Sequence, residues 1–293
     1  MTSKIKVSVI VPVWNDARRI VKCVNALKAQ HFAKDTFEII IVDNGSNDDT
    51  FKVVSEIDGI TAIQEFAPGS YAARNKGLSI AKGGYVAFTD ADCVPDEKWL
   101  EELVNCAEKQ KDFGVIAGDI HFFKDEDEEV DEASIAYENF FSMDQEAYAK
   151  KGVCITANWL SKREDLLHLG GFNAKVKSGG DHDMAKRLTQ SGLRVVFCSE
   201  AFVKHPARNK SEILKKRRRV IGGAWDKTEQ KFKSIKLTWD AIKLYVKRTL
   251  IVFLTSNASF KERISVFGVI TSIFFVSLSE ILKLAGGKQS ARS

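Results

Sequence analysis

Gly83-Gly84-Tyr85-Val86-Ala87-Phe88-Thr89-Asp90-Ala91-Asp92-Cys93-Val94-Pro95-Asp96 is the stretch on which the reading of this chain turns. Residues 85–88 form a short apolar run, the signature of a buried strand. Two carboxylates, Asp90 and Asp92, follow it one residue apart. Side chains alternate along extended backbone, so the two face the same side. Ligands of open α/β sheets bind at the carboxyl ends of strands. Two hard oxygen ligands there suit Mg²⁺ or Mn²⁺, ions that usually sit beside substrate phosphates. The plainer alternative is a polar loop after a core strand, since Asp-x-Asp alone is common.

Upstream, residues 7–13 are apolar and β-branched and contain Pro12; Trp14-Asn15-Asp16 closes the run. They read as a first buried strand. Residues 17–29 place Ile20, Val24 and Leu27 at helical spacing, with Asn15 or Asp16 as the N-cap. A second buried strand at 37–42 runs into the polar turn Asp43-Asn44-Gly45-Ser46, and a helical stretch reaches Glu56. Strand, helix, strand, helix at this spacing predicts a parallel sheet with right-handed crossovers. A third strand at 61–66 precedes Pro68-Gly69-Ser70-Tyr71-Ala72-Ala73-Arg74-Asn75-Lys76-Gly77, a glycine-containing loop opening a helix. Such an N-terminus attracts phosphate, and Arg74 can reach a nucleotide or the aspartates that follow. A capped helix with a surface arginine is the alternative.

Downstream, residues 97–109 are helical with Trp99, Leu100, Leu103 and Val104 inward, and 115–123 form a strand. The acidic stretch 124–132 has no ligand spacing and reads as solvated. Residues 133–149 are aromatic and read as one helix, packed in the core or lining an acceptor cleft. A small-residue strand spans 152–160, with Ser161 and Glu164 as a helix-capping pair. Gly179-Gly180-Asp181-His182-Asp183 opens another helix, where the macrodipole favours ionised Asp181 and Asp183. They are caps, or one is a general base presented to a cleft. Strands at 193–198 and 201–204 end at His205, a candidate third metal ligand.

The whole chain has 293 residues, room for one large domain or for one domain plus an appendage. Hydrophobic residues make up 44% and charged residues 28%, a globular composition, with net charge +5. Five scattered cysteines with no Cys-x-x-Cys pair read as reduced thiols in a cytoplasmic setting and argue against zinc. The N-terminus lacks the apolar core of a signal peptide. We place a nucleotide-binding and catalytic domain at 1–210 and a basic, apolar helical region at 211–293. That region carries a basic cluster at 215–219, then lysines interleaved with Trp225, Phe232, Trp239 and Tyr245. Its longer apolar run, 264–278, falls short of the roughly 20 residues that span a bilayer. A helix lying on an anionic membrane surface fits this pattern; a helical subdomain or an oligomer interface is the alternative.

Read in order, these segments resemble glycosyltransferase family 2, the inverting enzymes with the GT-A fold. The segments starting at Val7, Ile40, Gly69, Phe88, Thr156, Gly170 and Gly179 occur in the family's order and spacing. The resemblance covers about residues 5 to 220 and implies an α/β, Rossmann-like, mostly parallel central sheet flanked by helices. It implies that Pro12, Asp43 and Asn44 lie where the nucleotide base is held and that Arg74 lies beside the nucleotide. Asp90 would approach the ribose or sugar, and Asp92, with Asp90 and His205, would hold Mn²⁺ or Mg²⁺. Asp181 would be the general base, with Asp183 as the fallback. The donor would be a UDP- or GDP-sugar, and the acceptor a glycan or lipid-linked hydroxyl at the cytoplasmic membrane face. Two departures stand out: Asn44 where many members have a second Asp, and Gly180 where many have Glu. Transfer to polyprenyl phosphate is the nearby alternative. From other classes come a nucleic-acid-binding protein, disfavoured because the basic run lies beside apolar patches, and a non-catalytic scaffold, disfavoured by Asp90, Asp92 and Asp181.

Overall fold

The computed structural model describes residues 5–125, 129–176, 178–228, 232–254 and 258–289. In chain order the elements are β1 (Val7–Val13), α1 (Arg19–Lys28), β2 (Phe37–Asp43), α2 (Thr50–Ser55), β3 (Thr61–Gln64), α3 (Ser70–Ile80), β4 (Tyr85–Thr89) and β5 (Val94–Pro95). Then follow α4 (Trp99–Glu108), β6 (Phe113–Phe123), α5 (Glu132–Phe141), α6 (Gln145–Ala149), β7 (Asn158–Lys162), α7 (Arg163–His168), α8 (Gly180–Gln190) and β8 (Arg194–Pro206). Three long helices end the chain: α9 (Lys210–Lys227), α10 (Lys233–Leu254) and α11 (Phe260–Ala285). They divide into two compact units, one of residues 1–121, 143–175 and 179–205, the other of residues 122–142, 176–178 and 206–293.

The first unit is built on a sheet ordered β3-β2-β1-β4-β7-β6-β8-β5 among the described residues. β3, β2, β1 and β4 are parallel, as the alternating strand–helix pattern predicts. β1, β2 and β4 are almost wholly buried, which is why they read as continuous apolar runs. Register pairs Val13 with Asp43 and Ile10 with Phe88, so the polar residues after all three strands emerge at one edge. Helix α3 packs onto β1 and β2 at Gly77, where a Cβ would come within 2.5 Å of Ile10 Cγ2.

The second half of the sheet departs from the sequence reading. β7 is antiparallel to both β4 and β6, and β5 is antiparallel to β8. β7 begins only at Asn158. Ser161 lies inside that strand, taking a hydrogen bond from Trp159 Nε1 and donating to the Gly114 carbonyl, so it caps no helix. The expected single helix at 133–149 is two, α5 and α6, separated where Met143 turns to φ 55° and the Asp144 side chain caps α6. Strands 193–198 and 201–204 are one continuous strand, β8. Of the acidic stretch, residues 126–128 lie outside the described residues.

The second unit is helical. A capping box of Asn209 and Glu212 starts α9. Tyr137 of α5, Ile213 of α9, Val252 of α10 and Val266, Val269, Ile270 and Ile273 of α11 form one buried cluster; Ile221, Leu237, Ile281 and Leu284 form a second. The basic cluster is not uniformly solvated. Arg217 turns inward and donates to Ser277 Oγ at 2.6 Å, and burial, then the nearby Arg248, pulls its pKa down to about 10. α11 is the one helix among the described residues long and apolar enough to cross a membrane.

Candidate active site

Four segments converge at the polar edge of the sheet, and the physical reasons are local. Asp43, at the end of β2, is fully buried. Its Oδ2 accepts from the Ser46 N–H at 3.1 Å and from Gln64 Nε2 at 3.3 Å. Its Oδ1 is buried with no hydrogen-bond partner among the described residues. A buried acceptor left without a donor is costly and calls for an explanation. Asn44 has its amide committed within the chain: Nδ2 donates to the Glu65 and Ala67 carbonyls, both at 2.8 Å, and Oδ1 accepts from the Gly69 N–H at 2.7 Å. An aspartate could not supply those two donations. The departure at position 44 therefore holds the loop that leads into α3. Pro12 lies beside this turn in the sheet, opposite Val42.

Helix α3 joins three other segments. Positions 71, 74 and 75 are three and four residues apart and share a face. The buried Arg74 donates from Nη2 to Asp90 Oδ1 at 2.5 Å. Asn75 mimics a peptide: its Nδ2 donates to the Phe172 carbonyl and its Oδ1 accepts the Phe172 N–H, both at 2.8 Å. Tyr71 donates from its hydroxyl to Asp181 Oδ1 at 3.2 Å, with its ring stacked on Phe172. Burial, then the charge of Asp181, pushes the Tyr71 phenol up to about 12, so it remains a donor throughout the neutral range.

The second departure, Gly180, follows from this packing. A Cβ at 180 would lie 2.7 Å from the Tyr71 ring, so the ring fills the space a side chain would take. Asp181 and Asp183 part company on the same helix. Asp181 is half-buried and faces Tyr71, with Oδ1 also accepting the His182 N–H at 3.0 Å. Asp183 is exposed and paired with Arg187 Nε at 3.1 Å, and Arg187 in turn donates to the carbonyls of Leu169 and Gly171.

A ribbon places the late histidine. β5 pairs with β8 so that Val94 faces Lys204. One step further along that pairing brings His205 to the Asp92-Cys93 corner. His205 Nε2 lies 3.6 Å from Asp92 Oδ2, and ligand atoms of Asp92, Cys93 and His205 all lie within 4.8 Å of one another. The donor set fits a divalent ion in part. The carboxylate oxygen suits Mn²⁺ or Mg²⁺, and the imidazole nitrogen favours the softer Mn²⁺ over Mg²⁺. Cys93 fits poorly: a soft sulfur ligand does not suit these hard ions, and burial pushes its thiol well above the usual range. Asp90 stands outside this group, with Oδ1 on Arg74. The half-buried Asp16 joins the neighbourhood. Burial raises its pKa against the pull of Arg19, and the charge of Asp92 raises it further.

The geometry thus pairs Arg74 with Asp90, Tyr71 with Asp181, and Asp92 with His205, and leaves Asp183 in a separate ion pair. Tyr71, Asn75 and Cys93 carry contacts that the sequence reading did not assign. The 71/74/75 spacing was the available signal.

Comparison with known proteins agrees with this architecture. The family model for glycosyl transferase family 2 matches residues 8–170. The glycosyltransferase AglE of Haloferax volcanii is 35% identical over 230 residues, 76% of this chain and 74% of AglE. The poly(ribitol-phosphate) β-N-acetylglucosaminyltransferase TarP of Staphylococcus aureus is 33% identical over 105 residues, 34% of this chain and 32% of TarP. Among solved structures, the mannosyltransferase PcManGT of Pyrobaculum calidifontis, in complex with GDP-mannose and Mn²⁺, superposes with a TM-score of 0.59 at 19% identity, covering 98% of this chain and 77% of that one. TarS of Staphylococcus aureus with UDP-GlcNAc gives 0.55 at 17% identity over 94% of this chain and 83% of its own. These likenesses show the GT-A fold. With a family match over more than half its length and a relative aligned across three quarters of it, the chain belongs to glycosyl transferase family 2.

Proposed function

We propose that this glycosyltransferase moves a hexose or N-acetylhexosamine from a UDP- or GDP-sugar to a hydroxyl of a glycan or lipid-linked acceptor, inverting the anomeric carbon. The supporting observation is that one face of α3 holds both halves of such a site, Arg74 on Asp90 and Tyr71 on Asp181. Structural relatives holding GDP-mannose with Mn²⁺ and UDP-GlcNAc support a nucleotide-sugar donor. The unpartnered Asp43 Oδ1, beside Pro12, accepts a base N–H. Asn44 shapes that pocket by fixing its loop. Arg74 orients Asp90 toward the ribose or sugar.

Asp92 and His205 would hold Mn²⁺ or Mg²⁺, and the bound ion would supply Lewis-acid stabilisation of the negative charge on the diphosphate. Asp181 takes the proton of the acceptor hydroxyl as its oxygen attacks the anomeric carbon. The new C–O bond forms as the bond to the diphosphate oxygen breaks, and the electron pair leaves with the diphosphate. Asp183 is the weaker candidate for base because Arg187 already engages it. We place the reaction at the cytoplasmic membrane face.

The test is a donor screen with purified protein, Mn²⁺ or Mg²⁺ and a panel of nucleotide-sugars, read as nucleotide diphosphate released. Metal-dependent release from one donor, lost in folded Asp92→Ala, is the expected result. Normal turnover in Asp92→Ala and Asp181→Ala would sink the assignment. If Asp181→Ala alone is mild, the acceptor is an anion that needs no base, such as polyprenyl phosphate.

A further inference from the structure

The amphipathic helix α10 is apolar on two opposite sides. At 100° per residue, Leu237, Ala241 and Val252 point one way, and all three are buried. Ile235, Trp239, Ile242, Val246 and Leu250 point the other way, within about 80° of one another. Of these, Ile235 is 67% exposed, Trp239 57%, Val246 49% and Leu250 54%; Leu254 extends the row at 79%. A single exposed leucine needs no explanation, but a continuous row of this kind marks a contact surface. Lys236, Lys243 and Lys247 line one flank of the row, all exposed; Lys236 pairs with Asp240 Oδ2 at 3.0 Å, and the Lys243 ammonium lies 5.8 Å from the Trp239 ring centre.

We propose that this outward face of α10 docks flat on an anionic lipid bilayer, while α11 stays within the protein. The proposal specifies the membrane setting of the function given above and rests on that reading. Charge decides the occupant. A second copy packed antiparallel on the same face would bring the two lysine rows together, and one packed parallel would leave both rows without a counter-charge. An anionic headgroup layer takes the lysines while the apolar row and Trp239 sink to the acyl boundary.

α11 is the less suitable membrane element despite its composition. Its stripe Val266, Val269, Ile270, Ile273, Ile281 and Leu284 is already buried in the second unit. The same stripe carries Ser277, which accepts from Arg217, and the buried Glu280. Spanning would strip that core and carry Glu280 toward hydrocarbon, where acids are costly.

The test is sedimentation of the full chain with vesicles of phosphatidylcholine alone or mixed with phosphatidylglycerol, at low and high salt. Wild type is expected to bind the anionic vesicles and to release from them at high salt. Trp239→Ser/Leu250→Ser is expected to bind about tenfold more weakly or worse, and Lys236→Ala/Lys243→Ala/Lys247→Ala to lose the anionic preference. All these positions are exposed, and circular dichroism checks each fold. Nucleotide diphosphate release from a soluble donor, measured on the same preparations, is expected to be unchanged; it reports the catalytic reading separately. Three results would overturn the proposal: equal binding to neutral and anionic vesicles, a solution dimer that the double variant dissolves, or a chain that resists alkaline carbonate extraction from membranes.

Discussion

The two units use the same twenty side chains to different ends. At the polar edge of the first unit, Asn44, Arg74, Asn75 and Asp183 are committed to named partners through hydrogen bonds or ion pairs of 2.5–3.1 Å. In the second unit the helices are joined by apolar clusters, and two arginines that turn inward donate to hydroxyls, Arg217 to Ser277 and Arg248 to Tyr137, while Arg208 pairs with the buried Glu138 carboxylate at 2.8 Å. Exposure divides the same way. Of seventeen large apolar side chains exposed among the described residues, thirteen belong to the second unit. The first unit positions a few polar atoms; the second buries area on one side and presents it on the other. Substitutions should therefore hurt the first unit by changing atoms at constant volume, and the second by changing area.

The sharpest way to break that contrast lies within one helical turn. Asp181→Asn keeps the volume and the contact with Tyr71 but removes the proton acceptor. Turnover is expected to fall by about 10²–10⁴-fold with the thermal midpoint nearly unchanged. Asp183→Asn loses only an exposed ion pair, worth about 0.3–0.5 kcal/mol at i,i+4 spacing, so turnover should stay within about twofold of wild type. If the two variants lose activity equally, α8 does not separate a base from a structural acid, and the assignment to Asp181 fails.

Next in size is Arg74→Met, which fills similar space without the guanidinium. Asp90 then loses its partner. Breaking a buried pair costs about 3–5 kcal/mol; Asp90's side chain is 33% exposed to water, so we expect about 2–3 kcal/mol. That should lower Tm by about 5–10 °C in thermal unfolding, with most activity lost as well. An unchanged Tm would mean that Asp90 is already solvated and that Arg74 acts on substrate alone.

Gly180→Ala asks whether Tyr71 and Gly180 form one fitted pair. The new methyl would meet the ring at 2.7 Å, and overpacking of that kind costs about 1–3 kcal/mol. Tyr71→Leu in the same chain should recover most of that stability without recovering turnover, because the hydroxyl on Asp181 is gone. A double-mutant cycle in Tm and kcat reads the coupling. Additive losses would separate the two residues.

These contacts also show what was legible in the linear sequence. The parallel half of the sheet could be read because β1, β2 and β4 are buried on both faces and appear as unbroken apolar runs. The antiparallel half was obscured because its determinants are short or polar. β5 has two residues, and β7 opens on the buried Asn158, whose amide donates to the carbonyls of Asp119 and Ala201. The break between α5 and α6 depends on Met143 at positive φ, a conformation its residue type does not advertise. Asp90, Asp92 and Asp181 stood out as acids next to strand ends and glycines. Tyr71 did not, because its partner lies 110 residues away and the space for its ring is made by an absent side chain at Gly180.

The smallest expected effect tests the other side of the comparison. Trp239→Ser removes the largest apolar side chain from the outer row of α10. Were that row part of a folded core, the loss would be about 3–5 kcal/mol, as for a buried tryptophan. Trp239 is 57% exposed, its helix is anchored by Leu237, Ala241 and Val252 on the opposite side, and its ring faces the Lys243 ammonium 5.8 Å away. A cation–π contact at an exposed site contributes about 0.5–1 kcal/mol at most, and serine has a helix propensity close to that of tryptophan. Tm in detergent-free buffer should therefore move by no more than about 2 °C. A drop of several degrees would mean that this face is covered within the protein in solution. Area presented outward would then be area already used, and the distinction between the two units would reduce to one of secondary structure.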